Sequence, residues 1–109
     1  MSGHRERAIG RNEAMFREVN ETIEDAARAV GLDDEVAFLC ECGDDLCAEE
    51  IQLSVREYER VRAVPTRFFV RPGHVRPDLE RIVERYERYW VVEKLDEAAD
   101  EAEETDPRS

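Results

Sequence analysis

Three cysteines lie within eight positions of the segment FLCECGDDLC, spaced Cys40-x-Cys42-x4-Cys47, and the chain has no others. Thiols this close together can ligate a thiophilic metal, work as a redox pair with a spare, or sit as small buried apolar groups. Their place around a polar turn, with Gly43, Asp44 and Asp45 between them, argues against the last use. Residues i and i+2 of a strand share a face, so Cys40 and Cys42 can address one ion. A structural zinc site takes four soft or borderline ligands in a tetrahedron, and three cysteines with one histidine are a standard set. The two histidines are His4 and His74. His4 lies in a charged N-terminal segment, whereas His74 follows Pro72-Gly73, where a turn can aim the imidazole inward. The expected ligands are Cys40, Cys42, Cys47 and His74, around a structural Zn2+. An iron–sulfur cluster is the lesser metal alternative.

Such a set closes the metal's shell, whereas a catalytic zinc keeps a position open and has a base nearby. Were His74 not a ligand, Glu41 or Asp44 could fill the fourth position or act as a base; solvating the turn is their simpler role. The chain carries no H-E-x-x-H, Walker loop, G-x-S-x-G or zinc-deaminase pattern. No catalytic residue is assigned, and a non-enzymatic role is expected.

At 109 residues the chain has the length of one domain. Its N-terminus lacks the apolar stretch of a signal peptide, and no apolar run approaches the roughly 20 residues of a membrane span. The expected compartment is the cytoplasm, where clustered cysteines serve metal binding or redox chemistry more often than disulfides. The net charge of −12 repels phosphate backbones. Nine arginines against six acids over residues 56–88 keep a nucleic-acid contact as an alternative. Arginine outnumbers lysine fifteen to one, a bias expected of a high-GC genome, and its interleaving with acids reads as solvated ion pairs.

The elements that must position the cluster follow from periodicity. Met15, Phe16, Val19, Ile23, Ala26, Ala27 and Val30 recur at helical steps, which predicts a helix over about residues 13–30, N-capped by Asn12 and ended by Gly31. Its apolar stripe is expected on the domain core, with a dimer seam as the alternative use. EVAFLCEC and EEIQLS alternate as strands, so the cysteines sit at a hairpin tip. Ser54 and Glu57 form a capping box, and Leu53 with Tyr58 a hydrophobic staple, opening a helix over about residues 55–63 that Pro65 closes. TRFFV reads as a strand that RPGH breaks. Residues 79–94 admit a helix or a hairpin, and the β-branched and aromatic content of YWVVEKL favours a strand there. The segment after Leu95 reads as a frayed helix or an acidic coil.

The expected architecture is α+β: a long N-terminal amphipathic helix, a small antiparallel sheet, a second short helix and an acidic C-terminal tail. Its divisions are a flexible N-terminus (1–11), a zinc-binding-like domain (12–95) and the tail (96–109). Tyr58, Phe68, Phe69 and Trp90 are the aromatics most able to form a contact surface, with core packing the simpler use.

NEAMFREVN, FLCECGDDLC, EYERVRAVPTRFFVRPGHV and YWVVEKL together make residues 11–95 resemble a group of small actinobacterial proteins. The resemblance implies a compact domain in which Cys40, Cys42, Cys47 and His74 form one site; it implies no activity or substrate. The expected function is a metal-binding module acting as a protein-interaction or regulatory domain through a protein partner, with a homodimer as one form. A redox or metal sensor and a nucleic-acid-binding zinc module are the alternatives, and no membrane partner is expected.

Overall fold

The computed structural model describes residues 2–108, with side chains from Ala8 onward. In chain order the elements are α1 (Ser2–Ala29), β1 (Val36–Leu39), β2 (Glu50–Leu53), α2 (Val55–Arg62), β3 (Arg67–Val70), β4 (Glu80–Arg85), β5 (Trp90–Lys94) and α3 (Asp96–Glu104). The class is α+β, and its strands form two small antiparallel sheets: β1 with β2, and β3-β5-β4 with β5 in the middle. Val36 faces Leu53 and Phe38 faces Ile51 in the first; Phe68 faces Val92 in the second.

Residues 79–94 take the hairpin form. Val91 and Val92 are both buried in the central strand, where β-branched side chains pack well on a pleated surface. Between the sheets Phe38 stacks on Tyr58 at 4.4 Å between ring centres, and Phe69 meets both edge-on. Tyr58, Phe68 and Phe69 are therefore core, and Trp90 is half-buried. The Ser54–Glu57 capping box forms as expected: Ser54 Oγ accepts the Glu57 N–H at 3.0 Å, and Glu57 accepts the Ser54 N–H at 2.9 Å. Among the described residues no helix is long and apolar enough to cross a membrane.

The first helix departs from its expected form twice. It begins at Ser2 and takes in residues 2–11, because Asn12 is not a cap: its side chain donates across to the Gly43 carbonyl at 2.9 Å. The helix is also turned. The side chains it buries along one face are Ile9, Glu13, Arg17, Asn20, Glu24 and Ala27, while Met15, Val19 and Val30 are exposed and Phe16 and Ile23 half-buried. Of the apolar stripe expected on the core, Ala27 and Ile23 meet it, while Met15, Val19, Ala26 and Val30 lie outside.

The physical reason is what the polar face meets. Asn20 donates to the Leu39 carbonyl at 3.0 Å and accepts the Leu39 N–H at 2.8 Å, closing the end of β1 as a further strand would. Arg17 donates to the carbonyls of Pro65, at 2.9 Å, and of Arg67, and its guanidinium lies 3.7 Å from the Phe68 ring centre. Glu13 takes a hydrogen bond from Lys94 of β5, which also donates to Glu80 at 2.5 Å. Two small sheets leave backbone groups at their ends that must be paired once buried, and this face pairs them.

The acidic end of the chain forms α3 and packs on α1, with Ala102 and Asp106 buried. Arg62, buried in α2, donates to Asp106 at 2.5 Å, and Arg108 bonds Glu21, Glu24 and Glu59. The C-terminal segment is thereby tied to α1 and α2.

Candidate metal centre

The segment after β1 crosses from one sheet to the other. The Cys40 N–H bonds the Glu49 carbonyl at 2.9 Å, closing the hairpin, and the next N–H, of Glu41, bonds the Phe69 carbonyl of β3 at 3.1 Å. Cys40 and Cys42 are held where the sheets meet, both buried. Gly43 then turns the chain with φ +81, beyond what an ordinary side chain favours. A Cβ there would lie 2.7 Å from Ile9 and 2.8 Å from Glu13 side-chain atoms, so the turn also presses against α1. Asp44 shapes the rest of the loop, its carboxylate accepting the Leu46 N–H at 2.9 Å and its carbonyl the Cys47 N–H at 3.0 Å.

His74 arrives from β3. Pro72 and Gly73, the latter at φ +91, occupy the middle of a turn closed by the His74 N–H on the Arg71 carbonyl at 2.9 Å. This geometry brings the imidazole Nδ1 to 3.6 Å from Cys40 Sγ and 3.7 Å from Cys47 Sγ. One ligand atom from each of Cys40, Cys42, Cys47 and His74 lies within 4.8 Å of all the others, so the four could hold a metal ion. With a Zn–S bond of about 2.3 Å and a Zn–N bond of about 2.1 Å, a tetrahedral sulfur–nitrogen edge is about 3.6 Å, which the two sulfur–nitrogen distances match closely.

The surroundings suit thiolates. Arg71 donates its backbone N–H to Cys40 Sγ at 3.3 Å, and the backbone N–H groups of Asp44 and Glu49 serve Cys42 and Cys47. The thiols compete for one another's protons. A hydrogen bond from Cys40 holds the Cys42 thiol down at about 5, and the same bond, with burial, pushes Cys40 up. Burial raises Cys47 as well. One thiolate is thus favoured and further ones are resisted by their mutual repulsion; a cation among the sulfurs removes that resistance.

Further residues orient the four. Glu49 lies 3.9 Å from His74 Nε2 and 3.0 Å from Arg71 Nε, placing a carboxylate behind the ring. Arg76 Nε donates to the Cys42 carbonyl at 3.2 Å. The imidazole borders an open groove lined by Cys42, Asp44, Gly73, His74, Val75 and Arg76.

Neither alternative fourth ligand joins this group: Glu41 is fully buried against Asn20, and the Asp44 carboxylate is engaged with the Leu46 N–H. The side chain of His4 lies outside the described residues. Sequence reasoning missed Asn12, Asn20, Arg71 and Arg76, whose contacts with the cluster's loops span more than fifteen residues of chain and leave no local signal. No protein-family model, curated protein or solved structure matches the chain.

Proposed function

We propose that this protein is a small structural-zinc domain that works through contacts with a partner protein rather than by catalysis. The observation that carries the reading is the convergence of Cys40, Cys42, Cys47 and His74 from two turns on different sheets. Three sulfurs and one imidazole, each sulfur served by a backbone N–H, are a donor set for zinc in its closed, four-coordinate form. The ion would tie the β1–β2 loop to the turn after β3, linking two sheets too small to share a large core.

A protein-contact role suits the rest of the surface better than nucleic acid does. Five of the nine arginines of residues 56–88 are in ion pairs: Arg62 with Asp106, Arg67 and Arg81 with Glu93, Arg71 with Glu49 and Arg88 with Glu35. These pairs reduce the charge the segment offers to a phosphate backbone, and the whole chain carries a net −12.

Titration with Co2+ under anaerobic conditions tests the metal reading. Tetrahedral thiolate coordination gives intense visible d–d bands and sulfur-to-metal charge transfer, saturating at one equivalent and bleached by Zn2+. Cys42→Ser and His74→Ala should change or abolish the bands. Octahedral, weakly coloured Co2+ in the wild type would sink the proposal.

A further inference from the structure

We propose that the outward stripe of α1 is a docking face for a cationic amphipathic helix of a partner protein. This deepens the protein-contact part of the functional reading and is independent of the metal. Met15 is 53% exposed, Val19 39% and Val30 78%, and Ala26 is exposed between them. Met15, Val19 and Ala26 follow one another at steps of four and seven, which keeps them on one side of the helix over about 16 Å, and Val30 lies just past its end. Half-buried Phe16 and Ile23 form the inner edge, where the stripe meets the body of the domain.

The stripe is not surplus apolar surface left over from a packed helix. Buried Glu13, Arg17, Asn20 and Glu24 hold α1 in place from the adjoining face together with Ile9, Ile23 and Ala27, so the domain seats this helix and leaves Met15, Val19 and Ala26 outside. Exposed apolar side chains grouped on one side of a helix are candidate interaction surface. Steps of four and seven residues are those of a helix–helix seam, in which a second helix lies nearly along the first.

Charge decides the occupant. The outer edge of the stripe carries exposed Glu18 and Asp25, seven residues apart, with Arg11 at its N-terminal end. A second copy packed antiparallel would set Glu18 against its own counterpart or against Asp25, and each chain brings a net charge of −12. A helix with Lys or Arg beside its apolar stripe turns the same carboxylates into ion pairs and faster association.

Three labelled peptides of about three heptads test this with the full, metal-loaded protein. One carries a leucine stripe flanked by lysines, one the same stripe flanked by glutamates, and one the first peptide's residues in scrambled order. The expected result is micromolar binding of the lysine-flanked peptide alone, weakened by salt and about tenfold or more by Val19→Glu or Met15→Glu. Both positions face solvent, so the variants should keep the wild-type circular dichroism and metal content. Absence of binding, equal binding of the scrambled peptide, or binding untouched by Val19→Glu would each overturn the proposal. A wild-type dimer in sedimentation velocity that Val19→Glu dissolves would overturn it in favour of a second copy. Metal content is read separately, so failure of this inference leaves the zinc reading standing, and the reverse.

Discussion

Asn20, in the middle of α1, donates its side-chain N–H to the carboxylate of Glu41 at 2.9 Å, and Glu41 stands between two cysteines of the cluster. The bond joins the long helix to the candidate metal centre through a fully buried carboxylate. With the two bonds that Asn20 makes to the Leu39 backbone, it fixes where the chain leaves β1 and hence where Cys40 and Cys42 begin.

Asn20→Ala should therefore cost about 3 kcal/mol, since it strands the Leu39 N–H and carbonyl and one Glu41 oxygen in a buried place. It should also weaken metal binding, though Asn20 is not a ligand. Urea denaturation and competition with a chromophoric chelator measure the two effects. An unchanged chelator titration in a destabilised variant would show that the helix supports the fold but not the site.

Gly43→Ala should act on the same loop from the other side. The residue combines a positive φ with a Cβ position 2.7 Å from Ile9 and 2.8 Å from Glu13. Left-handed backbone alone costs an ordinary residue about 1–2 kcal/mol, and the contact with α1 adds to that. The loop must shift, moving Cys42 relative to Cys47, so metal affinity should fall together with stability. A variant with wild-type melting temperature and metal affinity would contradict the close packing of this turn on α1.

The buried group of Lys94, Glu13 and Glu80 predicts a pH effect with a definite sign. Lys94 donates to both carboxylates and its pKa stays raised by them despite burial. Burial lifts Glu13 from 4.5 to about 8, against the pull of Lys94 and with Glu80 and Glu41 adding negative charge nearby. Glu97 and Glu101 of α3 line the same small cavity. One carboxylate thus balances the ammonium and Glu13 holds a proton at neutral pH. Because its folded pKa lies above its unfolded one, the stability this provides is present below about 4.5 and lost as pH rises through about 8. Relative to Glu13→Gln, the wild type should lose on the order of a few kcal/mol between pH 5 and 9, by urea denaturation of both at each pH. A constant difference between the two proteins would refute the assignment. Lys94→Met should cost about 3–5 kcal/mol at neutral pH, since it leaves a buried carboxylate uncompensated.

The features legible in the sequence are those whose chemistry is local. Ser54 and Glu57 announce a helix start because each satisfies the other's backbone, and Pro72-Gly73 announces the turn that aims His74. The orientation of α1 was not legible, because periodicity identifies an apolar face but not what lies against it. Here the core is covered by Arg17 and Asn20, which pair with strand-end carbonyls at Pro65, Arg67 and Leu39, partners nineteen to fifty residues away. Asn12 misled for the same reason: a good N-cap residue is also a good donor for a distant carbonyl, that of Gly43. Nor did Glu41 carry a sign of its burial, since a glutamate in an acidic turn reads as a solvated one.

The most direct test of the central claim is the metal content of the purified protein, by native mass spectrometry and elemental analysis after anaerobic, metal-replete preparation. The expected result is one zinc per chain, retained until denaturation and reduced in Cys42→Ser and His74→Ala. Well under one metal per chain in the wild type, or full occupancy in both variants, would contradict a centre built from Cys40, Cys42, Cys47 and His74.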